Sequence, residues 1–291
     1  MSIVNARELL IKATREKYAV GAFNITSVVQ MEAVVEAHVE CKAPLIIQTS
    51  VAPSKFLGLN VLVAIYRTLA EAAPIPICLH LDHCTDVAYC KKAADAGYTN
   101  IMVDASKQPY DENVRLTKDV VDYCHQLGGI SVEGELGTVG GVEDQIRVVE
   151  SEAELCNPDQ VLEFIERTGV DLLAPAIGTA HGIYKTKNPK IDVERFHRIF
   201  EIVNGKEIRT PLVIHGGTGL PRETVEKLIS YGGSKVNVST ELKHTMIDAT
   251  YQYISDHREE YDPGKIDLAV KEAIKKVAMN WIEWFGCAGK A

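Results

Sequence analysis

Residues 75–84 read IPICLHLDHC, an apolar run that ends in ionisable residues. An unbroken run of this kind is typical of a strand that is buried on both faces, as in a parallel sheet. A strand that ends in His80, Asp82 and His83 places ionisable side chains where burial costs free energy. The stretch therefore predicts a buried strand with a chemically active end.

Seven further runs share this character, and each ends in a small or polar residue. They are YAVGAFN (18–24), PLIIQTS (44–50), NIMVDAS (100–106), GISVEGEL (129–136), DLLAPAIG (171–178), PLVIHGG (211–217) and SKVNVST (234–240). Helical patterns lie between them, for example at 28–42, after Asn157-Pro158 and after Leu220-Pro221. Eight strand–helix alternations in about 250 residues predict an α/β fold, a (β/α)8 TIM barrel. A doubly wound sheet is less favoured, because the first strand is followed by no glycine-rich dinucleotide fingerprint.

We expect residues 1–291 to form one domain, with extra C-terminal helices after residue 241 that are interrupted at 259–265 (EEYDPGK). The net charge of −9 argues against nucleic acid or an anionic membrane as a partner. The sequence has no apolar stretch near the roughly 20 residues of a membrane span. Its seven cysteines form no C-x-x-C pair, which predicts reduced thiols and a cytoplasmic location.

Polar residues gather at the predicted strand ends, where barrel enzymes place their active sites. They are Asn24, Ser50, Asp82, His83, Asp104, Glu135, His215 and Asn237, with His181 just after the sixth strand. A single strand-end Asp is commonly a helix cap, and a single His is commonly a hydrogen-bonded core residue. The concentration of such residues on one rim favours a functional site.

Three of these histidines, His83, His181 and His215, suit a catalytic zinc, which uses three protein ligands and keeps one position open. His80 lies on the same side of its strand as Asp82, so we expect it to be a hydrogen-bonded interior residue. Cys84 alternates away from His83 and is not expected to bind the metal. Asp82 is better placed as a proton-transfer group than as a ligand.

Two kinds of loop complete the predicted site. The glycine-rich segment 132–145 carries Glu135 at its base and Glu143 at its far end, and a mobile loop of this kind could bring a carboxylate over the site. HGGTGLP (215–221) and NVST (237–240) offer small residues and backbone N–H groups before a helix, as in the phosphate sites of barrels. A metal, a proton-shuttling Asp, a loop Glu and a phosphate cradle together indicate a reaction through an enediolate.

Over essentially its whole length the chain resembles the class II, zinc-dependent ketose-bisphosphate aldolases of the fructose- and tagatose-bisphosphate type. The motifs that carry the resemblance are GAFNI (21–25), KAPLIIQTS (42–50), HLDH (80–83), DAS (104–106), EGELGTVGGVED (133–144), AHGIYK (180–185), HGGTGLP (215–221) and VNVST (236–240). HLDH together with the two later HG pairs is the specific part of the pattern.

The resemblance implies a role for each matching residue. His83, His181 and His215 would bind Zn²⁺, Asp82 would exchange the proton of the C4 hydroxyl, and Glu143 would remove the C1 proton of dihydroxyacetone phosphate. Asp104 and Glu135 match positions that support the ligands or offer an alternative metal position. The remaining matches would line the pocket or hold the phosphate half with a monovalent cation (Na⁺ or K⁺): Asn24, Ser50, Gly182, Gly216, Gly217, Thr218, Asn237, Val238, Ser239 and Thr240. The substrate would be a small sugar phosphate, and the protein a homodimer or homotetramer.

One departure from the family pattern bears on the substrate. Gly264 stands in YDPGK (261–265), where relatives commonly have an Arg that binds the distal phosphate. The aldolase could therefore act on a ketose 1-phosphate with another end group, such as a 6-deoxy-6-sulfo sugar. A metal-dependent barrel hydrolase and a non-catalytic aldolase partner subunit are more distant alternatives, and the second predicts loss of the histidines or of Asp82, which are all present.

Overall fold

The computed structural model describes residues 2–143, 146–148, 153–182, 184, 186, 189–205, 207 and 209–291, and the side chains of residues 142, 143 and 146–148 lie outside this description. In the described part of the chain, the strands are β1 (Val20–Asn24), β2 (Leu45–Ser50), β3 (Ile77–Cys84), β4 (Asn100–Val103), β5 (Ser131–Leu136), β6 (Gly140–Glu143), β7 (Ile146–Val148), β8 (Leu172–Pro175), β9 (Ala180–His181), β10 (Leu212–Ile214) and β11 (Gly233–Val238). The helices are α1 (Ala6–Glu16), α2 (Val28–Cys41), α3 (Val51–Leu57), α4 (Leu59–Ala72), α5 (Val87–Ala96), α6 (Tyr110–Leu127), α7 (Pro158–Thr168), α8 (Val193–Asn204), α9 (Arg222–Ser230), α10 (Thr240–Asp256) and α11 (Pro263–Phe285).

Eight parallel strands close into a barrel in the order β1–β11–β10–β8–β5–β4–β3–β2. The fully described barrel strands are buried along their whole length, which explains why their sequences are apolar runs rather than alternating patterns. The predicted (β/α)8 barrel with additional C-terminal helices is therefore confirmed, and each of the eight predicted runs overlaps one barrel strand.

Local capping chemistry sets several helix ends where the sequence predicts them. The Asn157 side chain accepts a hydrogen bond from the N–H of Asp159 at the start of α7, and Gly169 ends that helix in the left-handed conformation. The break between α10 and α11 covers residues 257–262 and overlaps the predicted 259–265 segment, and Asp262 caps α11. One start differs from expectation, because α9 begins at Arg222 and Pro221 only precedes it.

A second, smaller sheet lies over the C-terminal end of the barrel and was not predicted. β6 pairs with β7 in an antiparallel hairpin and with β9 in a parallel arrangement, in which Gly141 is opposite His181. The segment 132–145, expected to form a mobile loop after the fifth strand, thus contains β6, and β7 begins just beyond it. Among the described residues, no helix combines the length and apolar character needed to cross a bilayer.

Candidate active site

The three predicted metal ligands come together at the C-terminal end of the barrel. Nε2 of His83 lies 3.1 Å from Nε2 of His181, and the ring centroids of His83 and His215 are 4.5 Å apart. One ligand atom from each of the three rings falls within 4.8 Å of those of the other two. All three side chains are buried. The sequence predicted that the three histidines lie on one rim of the barrel, and the structure shows that their rings face one another there.

His83 reaches this point through an irregularity in β3. Strict alternation would turn His83 away from the side that Asp82 faces. The backbone of His83 instead takes a left-handed conformation with φ of 45°, and the register with β4 shifts between Leu81 and Cys84. A shift of this kind locally re-aims side chains, so both residues of the Asp82-His83 pair face the site.

Each of two histidine rings presents one nitrogen to a carboxylate and the other to the cluster. His83 Nδ1 lies 2.8 Å from Asp104 Oδ2, and His215 Nε2 lies 2.8 Å from Glu133 Oε1. Metal-binding histidines are commonly oriented in this way, with the second nitrogen hydrogen-bonded to a carboxylate. In this arrangement Nε2 of His83 and Nδ1 of His215 are the nitrogens that face the cluster.

Two buried atoms at the centre of the cluster lack hydrogen-bond partners among the described residues. They are Nδ1 of His215 and Oε2 of Glu135, which lie 3.5 Å apart. Buried polar atoms are rarely left without a partner, so both fit a site that binds a cation. Ligand atoms about 2.0–2.1 Å from one tetrahedral zinc lie about 3.3 Å from each other, close to the spacing of His83 and His181. His83, Asp104 and Glu135 offer a second set of converging ligand atoms.

Burial and neighbouring charges shift the pKa values of the ionisable groups around the cluster. Burial and then the charge of Asp104 raise the pKa of Glu135 to about 8. Burial alone would raise the pKa of Asp104, but its hydrogen bond to His83 lowers that pKa below the usual range. Burial is the largest cause that lowers the pKa of His215, to about 4, and so favours the neutral ring, the form in which a histidine binds a metal.

Asp82 lies beside the histidines in a shell of amide donors. Asn24 Nδ2 donates to Oδ2 of Asp82 at 2.9 Å, and Asn237 Nδ2 donates to Oδ1 at 3.2 Å. Gln48, which the sequence analysis did not single out, donates from Nε2 to both Asn24 and Asp82. Burial alone would raise the pKa of Asp82, but the charge of His83 and the neighbouring His80 and Lys235 lower it well below its usual range. Asp82 is therefore an ionised carboxylate in a fixed orientation.

A small cavity next to His181 is built from the residues predicted to hold a phosphate. Its lining consists of His181, Gly182, Gly216, Gly217, Thr218, Asn237, Ser239 and Thr240. The side-chain oxygens of Thr218, Ser239 and Asn237 are buried there without a hydrogen-bond partner among the described residues. Ser239 precedes α10 but its side chain does not cap the helix, so the first N–H groups of α10 are available to an anion.

Glycine is required where the chain of this cavity approaches other backbone. Gly216 has φ of 67°, and a Cβ atom there would lie 2.5 Å from the carbonyl oxygen of Ala180. The hydroxyl of Tyr184 fixes the same approach, because it donates to the Gly216 carbonyl at 2.8 Å and accepts from the Ala180 N–H at 3.0 Å. A side chain at position 216 would therefore push this loop away from the backbone of Ala180.

The remaining predicted residues are placed as follows. Ser50 is buried at the end of β2, and Val238 is buried at the end of β11. Glu143 ends β6, and its side chain lies outside the described part of the chain. Glu133 and Lys235 were missed by the sequence analysis, although each lies two residues before a predicted site residue and hence on the same face of its strand.

Comparisons with known proteins point to one family of enzymes. The family model described as class II fructose-bisphosphate aldolase matches residues 4–290. A fructose-bisphosphate aldolase from Geobacillus stearothermophilus is 40% identical over 294 residues, which cover 100% of this chain and 99% of that protein. The crystal structure of the YdjI aldolase from Escherichia coli has a TM-score of 0.84 at 30% identity and covers 99% of both chains. A fructose-bisphosphate aldolase from Campylobacter jejuni, with a TM-score of 0.83 over 100% of this chain and 97% of its own, is 24% identical and shows the fold alone.

The barrel fold and the matching family together show that the chain is a barrel enzyme of the aldehyde-lyase class. The chain belongs to the class II fructose-bisphosphate aldolase family, and it is an aldolase.

Proposed function

We propose that the chain is a zinc-dependent aldolase that reversibly cleaves a ketose 1-phosphate or 1,6-bisphosphate into dihydroxyacetone phosphate and an aldehyde. The observation that carries this proposal is the meeting of three nitrogens in one buried cluster: Nε2 of His83, Nε2 of His181, and Nδ1 of His215, which has no hydrogen-bond partner among the described residues. Zn²⁺ bound there would act as a Lewis acid on the oxygens of the substrate.

In this proposal Asp82 moves the proton of the C4 hydroxyl. Its carboxylate is ionised and held by Asn24 and Asn237, so it can accept that proton during cleavage and return it during condensation. A positioned acid–base group of this kind contributes about 10²–10⁴-fold to a rate. The amide groups orient the carboxylate without competing for the proton.

Glu143 is proposed to exchange the C1 proton of dihydroxyacetone phosphate. The support is its place in the chain, because it ends β6, and β6 pairs with the strand β9 that carries His181. Closure of this sheet over the site would also exclude water from the reacting carbons.

The phosphate of the dihydroxyacetone half is proposed to bind in the cavity between the Gly216 loop and the start of α10. Buried hydroxyls of Thr218 and Ser239 and the N–H groups of α10 are suitable donors for a phosphate dianion. A monovalent cation, Na⁺ or K⁺, is proposed to accompany it on the strength of the family resemblance.

We propose that the protein is a homodimer or homotetramer. Only Leu242 of the 17 residues of α10 is buried. Ile247, Tyr251 and Ile254 form a stripe on this helix and are 67%, 72% and 42% exposed. Contiguous apolar surface of this kind marks protein–protein contacts.

All seven cysteines lie in the described part of the chain as free thiols, which supports a reducing compartment such as the cytoplasm.

The deciding experiment is an assay of carbon–carbon bond cleavage with zinc present. Candidate substrates are fructose and tagatose 1,6-bisphosphates, their 1-phosphates, and 6-deoxy and 6-deoxy-6-sulfo ketose 1-phosphates. Release of dihydroxyacetone phosphate from at least one of them supports the proposal. Cleavage that is unaffected by exhaustive chelation would refute the metal-dependent mechanism.

A further inference from the structure

A charge pair is buried inside the barrel, below the histidine cluster. Nζ of Lys235 lies 2.9 Å from Oε2 of Glu133, and both side chains are 0% exposed. Lys235 also lies 3.4 Å from Nε2 of His80, whose Nδ1 accepts a hydrogen bond from the Asn100 side chain. Removing two charges from water costs several kcal/mol per ion, so such pairs are weak evidence for stability alone. This pair therefore calls for a role other than packing.

The pair is connected to the histidine cluster through the second oxygen of the same carboxylate. Oε1 of Glu133 lies 2.8 Å from Nε2 of His215. An ionised carboxylate only accepts hydrogen bonds, so Nε2 of His215 must carry the ring proton. The other nitrogen, Nδ1, then has its lone pair free and is the buried atom without a hydrogen-bond partner among the described residues.

We infer that Lys235 is a positioning residue of the metal site. Through Glu133 it fixes the His215 ring with its proton on Nε2, which turns Nδ1 into the ligand atom. The two oxygens of Glu133 are divided between Lys235 and His215, so loss of the ammonium group removes the contact that holds the carboxylate in this rotamer. This inference rests on the proposed zinc site and adds to it a residue that touches neither metal nor substrate.

The test compares zinc affinity and the tautomer of His215 in Lys235→Met with those in the wild-type enzyme. Zinc affinity is measured by competition with a chelator, and the ring nitrogens are observed by ¹H–¹⁵N NMR of histidine-labelled enzyme. When Lys235 is lost, Glu133 should leave its rotamer and His215 should lose its carboxylate partner. We therefore expect Lys235→Met to bind zinc about 10–100-fold more weakly, the usual effect of losing such a partner. The His215 signals should also leave the pattern of a ring that is protonated at Nε2 and bound at Nδ1.

Tyr98→Phe is the matched control. Tyr98 is also buried, and its hydroxyl makes a 2.8 Å hydrogen bond to Thr49, so this variant loses a buried polar contact away from the histidines. It should keep wild-type zinc affinity. Equal weakening in both variants would show that general destabilisation is responsible and would overturn the inference.

If Lys235→Met does not fold because Glu133 is left as an unpaired charge, Lys235→Met/Glu133→Gln restores charge balance. In that variant the freed amide can present its NH₂ group to His215, and zinc should again bind more weakly. Wild-type affinity with an unchanged His215 tautomer, in whichever variant folds, would overturn the inference while leaving the zinc site in place. Failure of the wild-type enzyme to bind zinc at all would instead refute the proposed metal.

Discussion

Nε2 of His83 and Nε2 of His181 lie 3.1 Å apart, although 98 residues separate the two histidines in the chain. The opposite nitrogen of His83 is already paired with Asp104, so a cation shared by the two Nε2 atoms would satisfy both. The contact links β3 to β9, and through β9 it links the barrel to the small sheet that carries Glu143.

The first prediction concerns this contact and the metal. A chelator should abolish cleavage activity, and zinc should restore it. His181→Ala should be folded, zinc-poor and at least about 100-fold less active, since loss of a ligand should exceed the 10–100-fold effect of losing a ligand's hydrogen-bond partner. Metal analysis, circular dichroism and the cleavage assay measure the three properties. His197→Ala is the control, because His197 stacks on Tyr231 outside the site and its loss should change neither metal content nor rate.

The second prediction separates the two proton-transfer steps. Asp82→Ala should reduce carbon–carbon cleavage by about 10²–10⁴-fold, while exchange of the C1 proton of dihydroxyacetone phosphate with solvent remains measurable. Glu143→Ala should slow that exchange by a similar factor. Both reactions can be followed by NMR in D₂O. The reverse pattern would mean that the two roles are exchanged between the carboxylates.

The third prediction concerns the distal end of the substrate. Gly264 is exposed at the start of α11, and a Cβ atom there would meet only the Asp262 side chain, at 3.2 Å. An Arg can therefore be introduced without disturbing the fold. A charge-assisted hydrogen bond to phosphate is worth roughly 1.5–3 kcal/mol, so Gly264→Arg should raise kcat/KM for fructose 1,6-bisphosphate about tenfold or more relative to 6-deoxy and 6-sulfo ketose 1-phosphates.

Gly264→Gln, which is long but neutral, is the control for this comparison and should leave the ratio near that of the wild type. A wild-type enzyme that already prefers the bisphosphate by orders of magnitude, with no further gain from Arg, would contradict the idea. The chain would then recognise the second phosphate by other residues.

The fourth prediction tests the apolar stripe of α10. Ile247→Glu/Tyr251→Glu places two like charges on that stripe and should convert the proposed oligomer to monomers, as measured by light scattering after size exclusion. Leu162→Glu is the control, because Leu162 is 43% exposed on α7, away from the stripe. A wild-type protein that is already monomeric at micromolar concentration would refute the proposed assembly.

The fifth prediction concerns acid stability and a histidine far from the site. His38 is fully buried on α2, its ring contacts Phe23, and burial lowers its pKa to about 4. The unfolded chain binds a proton here below about pH 6.5 whereas the folded protein does not, so stability is lost as the pH falls from about 6.5 towards 4. This residue should account for about 2–3 kcal/mol of that loss.

His38→Leu should remove this part of the pH dependence, as measured by urea unfolding between pH 7.5 and pH 4.5. The control is His257→Leu, since His257 is exposed and lies just after α10. Parallel stability curves for His38→Leu and the wild type would contradict the prediction.

The barrel could be predicted from the sequence because strands buried on both faces need continuous apolar runs, and the runs ending at Asn24, Ser50 and His83 show this directly. The hairpin of β6 and β7 could not be predicted from the sequence, because GTVGGVED (137–144) has too many glycines to show a strand pattern. Its pairing depends on contact with His181, which is distant in the sequence.

The rim of the site was visible for a related reason, since the polar residues interrupt apolar runs. The roles of Glu133 and Lys235 could not be predicted in this way, because each appears in the sequence as one polar residue inside a strand rather than at its end. Only the closed barrel shows that the two side chains meet and that their charges cancel. The direction of the His83 side chain could not be predicted either. It depends on a register shift between β3 and β4, which the alternation of residues in the sequence does not reveal.

The left-handed backbone of His83 has an evolutionary consequence. A residue other than Gly or Asn in this conformation costs about 1–2 kcal/mol, so position 83 is also a weak point of the barrel. A laboratory selection for heat resistance alone should therefore replace His83 with Gly early. The selected variants should be more stable to heat than the wild type but inactive as aldolases.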